Sequence, residues 1–147
     1  YMMLTLDLFA SDDEVAWAEE VIKAHPDYNV ILTTHSYFDH DMSYDKDPDP
    51  NNSLTQTSGR ELFANLVLEC RNIVLVMSGH RYPPDNGPNY IIAEREDGSK
   101  VMQMMINPQK HESDEGRSFG MLAMLYVSED GRSGGRCAQT TIRFQLN

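Results

Sequence analysis

The sequence is poor in positive charge and in cysteine, and each shortage excludes a class of function. It has 12 lysines and arginines against 23 aspartates and glutamates, which gives a formal net charge of −11. Because such a chain repels polyanions, nucleic acid and anionic membrane surfaces are not expected as partners, except through a bound cation. The two cysteines, Cys70 and Cys137, are too few for a disulfide scaffold and lack C-x-x-C spacing.

Several motifs that mark catalytic or nucleotide-binding sites are also absent. The sequence has no G-x-S-x-G nucleophile motif and no glycine-rich phosphate-binding loop, and neither cysteine neighbours a histidine. Its apolar runs are too short to cross a bilayer, so no membrane segment is expected. These absences leave metal-dependent chemistry and binding as the functions to consider.

The spacing of apolar residues predicts alternating strands and helices in the first part of the chain. Strands are expected at residues 4–9, 29–35 and 72–80, of which the last two are short, apolar and rich in β-branched residues. A helix is expected from the capping-box pattern S-D-D-E at residues 11–14 to Pro26. A second helix is expected over residues 60–70.

The inner face of the second helix is not decided by the sequence. Either Leu62, Leu66 and Cys70 or Phe63 and Val67 follow helical spacing.

The second part of the chain reads differently. A long polar loop is expected at residues 39–59, and residues 83–147 read as mostly antiparallel β. A hairpin with its turn at D-G-S-K precedes a second strand pair at residues 120–131 and 137–147. We therefore predict the α/β class, with α+β character in the C-terminal part: parallel βαβ units first and antiparallel hairpins after.

Two histidines are the main candidates for chemistry. His35 and His80 each end a predicted buried strand, at the edge where α/β sheets bind ligands. Two imidazoles at neighbouring strand ends suit a transition metal, and Gly79 permits close approach of the backbone. The alternative is that each is an ordinary hydrogen-bonded histidine at a strand end. That is the commoner case for one histidine, and the shared placement leaves both readings open.

An acidic stretch in the long loop superficially resembles a calcium site. Asp45, Asp47 and Asp49 alternate there, but Pro50 stands where the calcium motif needs glycine and Gln56 where it needs glutamate. We therefore predict a solvated acidic loop.

The other histidines and large aromatic residues receive structural interpretations. His40 and His111 lie in polar stretches and are expected to face solvent. Trp17 and Tyr37 are expected to be packing residues and not a ligand platform.

Two segments together resemble a known family. "NVILTTHSY", followed one helix later by "NIVLVMSGHRY", resembles the last two motif blocks of the calcineurin-like metallophosphoesterases. In that family one strand ends in a metal-binding histidine and a later strand ends in Gly-His-x-His. "VIKAHPDYNVILTTHSY" and "KVMQMMINPQ" look like the bacterial, often exported branch, which implies an extracytoplasmic location. The resemblance covers nearly the whole chain but only the C-terminal half of the family's domain.

The resemblance implies a fold, two metal ions and a reaction. The fold is a four-layer α/β/β/α sandwich, and two divalent ions such as Mn, Fe or Zn serve the hydrolysis of a small or macromolecular phosphoester. His35 and His80 would ligate the same ion. Tyr82 stands where the second histidine of Gly-His-x-His serves the other ion, and a phenol with a pKa near ~10 is a poorer ligand than imidazole. No substrate-binding residue is assigned.

The family's opening blocks do not occur in this sequence. Asp-x-His, Gly-Asp and Gly-Asn-His-(Asp/Glu) are absent, and with them the family's catalytic histidine. The chain starts at Tyr1 in what reads as the middle of a strand. We therefore expect residues 1–147 to be one partial domain, the C-terminal part of the phosphoesterase domain, split at residue 82. By itself it is expected to bind metal weakly or not at all, to hydrolyse little, and to self-associate or depend on the missing N-terminal half.

Two other functional classes stay open. One is a phosphoesterase-like binding or structural module without catalytic activity, for which Tyr82 is the main indication. The other is an unrelated α/β domain, which a large separation between His35 and His80 would favour.

Overall fold

The computed structural model describes residues 1–46, 56–82 and 89–107. In these residues the chain is a mixed α/β protein built around one five-stranded sheet. A π-helical turn directly continues the second helix. The elements are β1 (Met2–Thr5), α1 (Asp12–Ala24), β2 (Val30–Thr33), α2 (Gly59–Leu62), the π-helical turn (Phe63–Val67), β3 (Ile73–Ser78), β4 (Asn89–Glu94) and β5 (Lys100–Met105).

The strand order in the sheet is β1-β2-β3-β5-β4. The strands β1, β2, β3 and β5 run parallel, and β4 runs antiparallel to β5. The predicted hairpin is thus confirmed, but β5 also extends the parallel part of the sheet, a pairing that the sequence analysis did not include. The predicted strand pair at residues 120–131 and 137–147 lies outside the described residues.

The first strand starts and ends earlier than predicted. It spans Met2–Thr5 instead of residues 4–9, because its partner β2 is itself only four residues long and pairs with it residue for residue. One further backbone bond, from Leu6 to the carbonyl of Thr33, continues the association past the strand. The β2 and β3 strands lie within their predicted ranges.

The N-terminus of α1 forms where the sequence predicts it, although not as a complete capping box. The backbone N–H of Glu14 donates to the Ser11 hydroxyl at 3.2 Å, as the motif requires. The Glu14 carboxylate, however, accepts from the backbone N–H of Asp7 at 2.7 Å instead of from Ser11. The cap therefore also fixes the chain that leads from β1 into the helix.

The C-terminus of α1 is closed by a side chain from a distant part of the chain. The Asn72 amide donates to the carbonyl oxygens of Ile22 (3.4 Å), His25 (3.1 Å) and Tyr28 (3.2 Å). Carbonyl groups at a helix end have no partner within the helix, so this amide satisfies groups that would otherwise need water. Since Asn72 directly precedes β3, it also fixes the start of that strand against the end of α1.

The second helix begins with the reciprocal cap that α1 lacks. The Ser58 hydroxyl accepts from the backbone N–H of Glu61, and the Glu61 carboxylate accepts from the backbone N–H of Ser58. These bonds from Ser58 lower the pKa of the Glu61 carboxyl. The next residue, Gly59, lies against the backbone of Tyr37: a Cβ atom on Gly59 would lie 2.0 Å from the Tyr37 carbonyl oxygen.

Both alternative inner faces of the second helix are used. Leu62, Leu66, Val67 and Cys70 are all buried, and Phe63 packs against the same core. The π-helical turn accounts for this result, because it has more residues per turn than an α-helix and shifts the inward face along the chain.

One arginine joins the hairpin turn to the second helix. Arg95 is 7% exposed, and its guanidinium donates to the carbonyl oxygens of Val67 (2.8 and 3.1 Å), Cys70 (3.3 Å) and Ile73 (2.9 Å). A fourth contact reaches the Ser99 hydroxyl at 3.3 Å. The turn between β4 and β5 is thereby attached to the segment between the π-helical turn and β3.

The two faces of the sheet differ in their packing. One face, which we call the helix face, packs its apolar residues against α1 and α2 in the main core. The residues that alternate with these form the second face. Its centre is buried, and its margins are exposed. The second-face residues considered below are Leu75 and Met104, each 1% exposed, and Met3, Tyr90 and Ile92, which are 67%, 53% and 57% exposed.

The packing prediction for Tyr37 is confirmed, and that for Trp17 is wrong. Tyr37 is fully buried, whereas Trp17 is 51% exposed. The buried face of α1 is centred on Ala18 and Ile22, and Trp17 precedes Ala18 by one residue and points away from the sheet. None of the helices in the described part of the chain is long and apolar enough to cross a membrane.

Candidate metal centre

The structure brings the two predicted histidines together. His35 follows β2 by two residues, His80 follows β3 by two residues, and these strands are parallel neighbours. The ring centroids of His35 and His80 are 5.2 Å apart, with the ring planes inclined at 66°. The separation is therefore small, whereas the interpretation as an unrelated domain was to be favoured by a large one.

Backbone hydrogen bonds hold the two strand ends in register at this point. The N–H of Gly79 donates to the carbonyl oxygen of His35 at 3.1 Å, one step beyond the last strand pair. The Asn107 side-chain amide donates to the carbonyl oxygen of His80 at 2.9 Å. Asn107 follows β5, so three neighbouring parallel strands contribute to the position of the histidine pair.

The backbone at His80 has a left-handed conformation, with a φ of 59°. Such a conformation costs a non-glycine residue on the order of 1–3 kcal/mol and is concentrated at functional sites. The sequence analysis placed the permissive backbone at Gly79, but the positive φ belongs to the histidine itself. Gly79 has a different role: a Cβ atom there would lie 3.8 Å from Nδ1 of His35, so its absence leaves room beside the His35 ring.

The histidine pair fits a shared cation in its spacing but does not complete a site. Two imidazoles on one ion, with metal–nitrogen bonds of about 2.1 Å, have centroids roughly 4.5–5.2 Å apart at coordination angles of about 90–110°. The observed 5.2 Å lies in this range. Within residues 1–46, 56–82 and 89–107, no group of three or more His, Cys, Asp or Glu side chains could hold a metal ion. Further ligands would have to come from elsewhere.

Tyr82 contacts a histidine that the sequence analysis assigned to solvent. The ring of His40 is exposed, but it stacks on the ring of Tyr82 with centroids 6.2 Å apart and planes inclined at 14°. Nδ1 of His40 lies 3.0 Å from the Tyr82 carbonyl oxygen. The solvent-facing prediction is therefore incomplete for His40. His111 lies outside the described residues.

The acidic loop is not wholly solvated, which corrects one prediction. Asp45 is 5% exposed, and the Ser36 hydroxyl donates to its carboxylate at 2.8 Å. Its backbone N–H donates to Tyr37, and its carbonyl accepts from Arg60, so the residue connects the loop after β2 to α2. An alternating acidic pattern does not reveal such a role. Asp47 and Asp49 lie outside the described residues.

An aromatic cluster supports the loop from below. Tyr44 stacks on Phe63 at 4.3 Å and on Phe38 at 5.4 Å, and Tyr37 packs edge-on against Tyr44. The hydroxyls of both tyrosines donate to Oε1 of the fully buried Gln103, at 2.6 and 3.2 Å. Burial raises the pKa of the Tyr37 and Tyr44 hydroxyls, so both stay neutral donors at physiological pH.

Two residues at the centre were not found from the sequence. Phe9 packs edge-on against the His80 ring at 5.7 Å, and Asn107 holds the His80 carbonyl oxygen. Neither residue belongs to a motif. Their position depends on the turn after β1 and on the parallel pairing of β5, which the sequence analysis did not include.

Comparison with known proteins gives one match. The protein "Uncharacterized protein YvnB" of Bacillus subtilis (strain 168) is 32% identical over 80 residues, which are 54% of this chain and 5% of that protein. No family model matches the chain, and no solved structure matches it. This chain is thus similar to a small part of a much longer bacterial protein.

Proposed function

We propose that the protein to which this chain belongs is a metal-dependent phosphoesterase, and that this chain supplies metal-ligand histidines. The observation that carries the proposal is the adjacency of His35 and His80 at the carboxyl ends of two parallel strands, with ring centroids 5.2 Å apart. The resemblance of both strand ends to the metallophosphoesterase motifs supports the same assignment.

The residues of the proposed site act by holding and orienting. His35 and His80 would ligate one ion, and the strained backbone of His80 is fixed by the bonds that Gly79 and Asn107 make. Two divalent ions, when bound, would activate a water molecule and stabilise charge on the phosphoryl group. Tyr82 stands where the family has a second imidazole.

The histidine pair leads to a direct prediction about metal binding. We expect His35→Ala and His80→Ala each to weaken Mn²⁺ or Zn²⁺ binding by the chain at least about tenfold, since each removes one of two adjacent imidazoles. Isothermal titration of the chain with each ion measures the effect. The matched control is His25→Ala, because His25 lies at the end of α1, before β2, and contacts Tyr28. Unchanged affinity in both site variants would refute the proposed site.

The same variants test the expected lack of turnover in the isolated chain. With p-nitrophenyl phosphate and Mn²⁺, the chain is expected to hydrolyse little because the family's opening motifs are absent from it. Clear turnover that His80→Ala abolishes would contradict that expectation while supporting the reaction class.

The finer architecture is part of the proposal. We infer a four-layer α/β/β/α sandwich in the complete domain, because the sheet is apolar on its second face as well as on its helix face. Parallel sheets are generally covered on both faces.

Self-association is expected from the same face. Met3, Tyr90 and Ile92 are each more than half exposed, and exposed apolar sheet surface favours association. We expect light scattering to give a mass above the 16.7 kDa of one chain that rises with concentration. Ile92→Lys should reduce this mass, whereas Trp17→Lys, on the outer side of α1, should not. A single-chain mass at all concentrations would contradict the expectation.

A binding module without catalytic activity is the second candidate. The observation that favours it is Tyr82, whose ring stacks on His40 in a motif position where a ligand imidazole is expected. The upstream sequence of the natural protein separates the two candidates. Asp-x-His and Gly-Asn-His blocks there favour the enzyme, and their absence favours the module.

A further inference from the structure

His40 lies on a turn whose structure is set by its own hydrogen bonds. A bridge between Phe38 and Tyr44 closes the base of the turn, and the N–H of Asp39 donates to the carbonyl oxygen of Ser43 at 2.8 Å. Phe38 and Tyr44 belong to the aromatic cluster under the loop. The exposed His40 ring is therefore held on a built turn, beside the loop that follows β3.

The contact with Tyr82 fixes which ring nitrogen of His40 carries the proton. A carbonyl oxygen can only accept, so Nδ1, at 3.0 Å from the Tyr82 carbonyl oxygen, must be the N–H donor. In the neutral ring, Nε2 then carries the lone pair. Metal-ligating histidines characteristically donate their other ring N–H to a backbone carbonyl or carboxylate in this way.

The surroundings of His40 favour a cation. Asp39 and Asp41 flank it in sequence, and its own backbone N–H donates to the Asp39 carboxylate at 2.7 Å. The chain as a whole carries a net charge of −11. His40 does not form one coordination group with His35 and His80 among the described residues, so it cannot serve the same ion in this geometry.

We propose that His40 is a further metal ligand, which binds a second divalent cation through Nε2 while the Tyr82 carbonyl oxygen holds Nδ1–H. This inference rests on the proposed function, because it adds a second cation beside the one assigned to His35 and His80. It gives Tyr82 a role through its backbone and its ring stacking, without requiring the phenol to ligate.

Zn²⁺ titration of the full 147-residue chain, followed by long-range ¹H–¹⁵N correlation spectra of the histidine rings, tests the inference. Before zinc is added, His40 is expected to show the Nδ1–H tautomer. On addition, the Nε2 resonance of His40 should move, as should ring-nitrogen resonances of His35 and His80, while those of His25 stay in place. Movement of His35 and His80 without His40 overturns the inference and leaves the proposed function standing. No movement of any of the three overturns both, and an equal response of His25 and His40 marks surface binding and overturns the inference.

A matched variant separates ligation from a tethering role. His40→Asn places an amide nitrogen near the position of Nδ1, so it can keep the bond to Tyr82 while it removes Nε2. We expect it to weaken binding of the second Zn²⁺ at least about tenfold in calorimetry, with the first ion unaffected. His25→Asn is the control. Wild-type binding of both ions by His40→Asn would show that His40 only tethers the loop.

Discussion

Gly59→Ala is expected to lower the free energy of unfolding by about 3 kcal/mol or more, out of a total of roughly 5–15 kcal/mol for a domain. The added Cβ would lie 2.0 Å from the carbonyl oxygen, 2.7 Å from the carbonyl carbon and 2.9 Å from the Cα of Tyr37. All three are backbone atoms, so no side chain can rotate away. Relief would require the loop after β2 to separate from the start of α2. Urea denaturation followed by circular dichroism measures the loss.

Gly98→Ala is the matched control for this substitution. Gly98 has a φ of 79° but nothing within 4 Å of the place of its Cβ, so alanine there meets backbone strain without a clash. Such strain costs about 1–2 kcal/mol. Since alanine at an unobstructed helical position stabilises by roughly 0.5–1 kcal/mol over glycine, a stability of Gly59→Ala equal to or above that of Gly98→Ala would refute the close approach.

Arg95→Met is expected to lower the free energy of unfolding by about 3 kcal/mol. Methionine keeps an apolar stem in the buried channel but removes every donor to Val67, Cys70 and Ile73. Hydrogen bonds to a charged group contribute on the order of 1.5–3 kcal/mol each, and a buried carbonyl left without a partner adds its desolvation cost. Thermal and urea unfolding of the variant measure the change.

A neighbouring arginine provides the control. Arg71 pairs with Asp97 at 3.2 Å, but its side chain is 74% exposed. Exposed ion pairs contribute about 0–1 kcal/mol, so Arg71→Met should change stability little. Equal losses in the two variants would mean that the buried hydrogen bonds of Arg95 contribute no more than a surface charge.

The meeting of His35 and His80 could be predicted because it depends on local patterns. Each strand announces itself by β-branched apolar residues, and parallel neighbours end at one edge of the sheet. The five-stranded sheet and the β4–β5 hairpin follow from similar signals.

What the sequence did not reveal depends on contacts between distant segments. The left-handed φ of His80 is held by a bond from Asn107, and the position of β5 that brings Asn107 there is a non-local pairing. The burial of Asp45 depends on the Ser36 hydroxyl, and the orientation of His40 on the Tyr82 carbonyl. An alternating charge or a polar stretch carries no information about such partners.

The position of β5 between β3 and β4 has a consequence for the order of folding. A hairpin such as β4–β5 forms locally, within about 1–10 μs, whereas the parallel pairing of β5 with β3 joins segments more distant in sequence and is slower. Asn107 reaches the His80 carbonyl oxygen only after that docking. The histidine pair therefore acquires its final geometry late, when the hairpin docks, and not when its own two strands first pair.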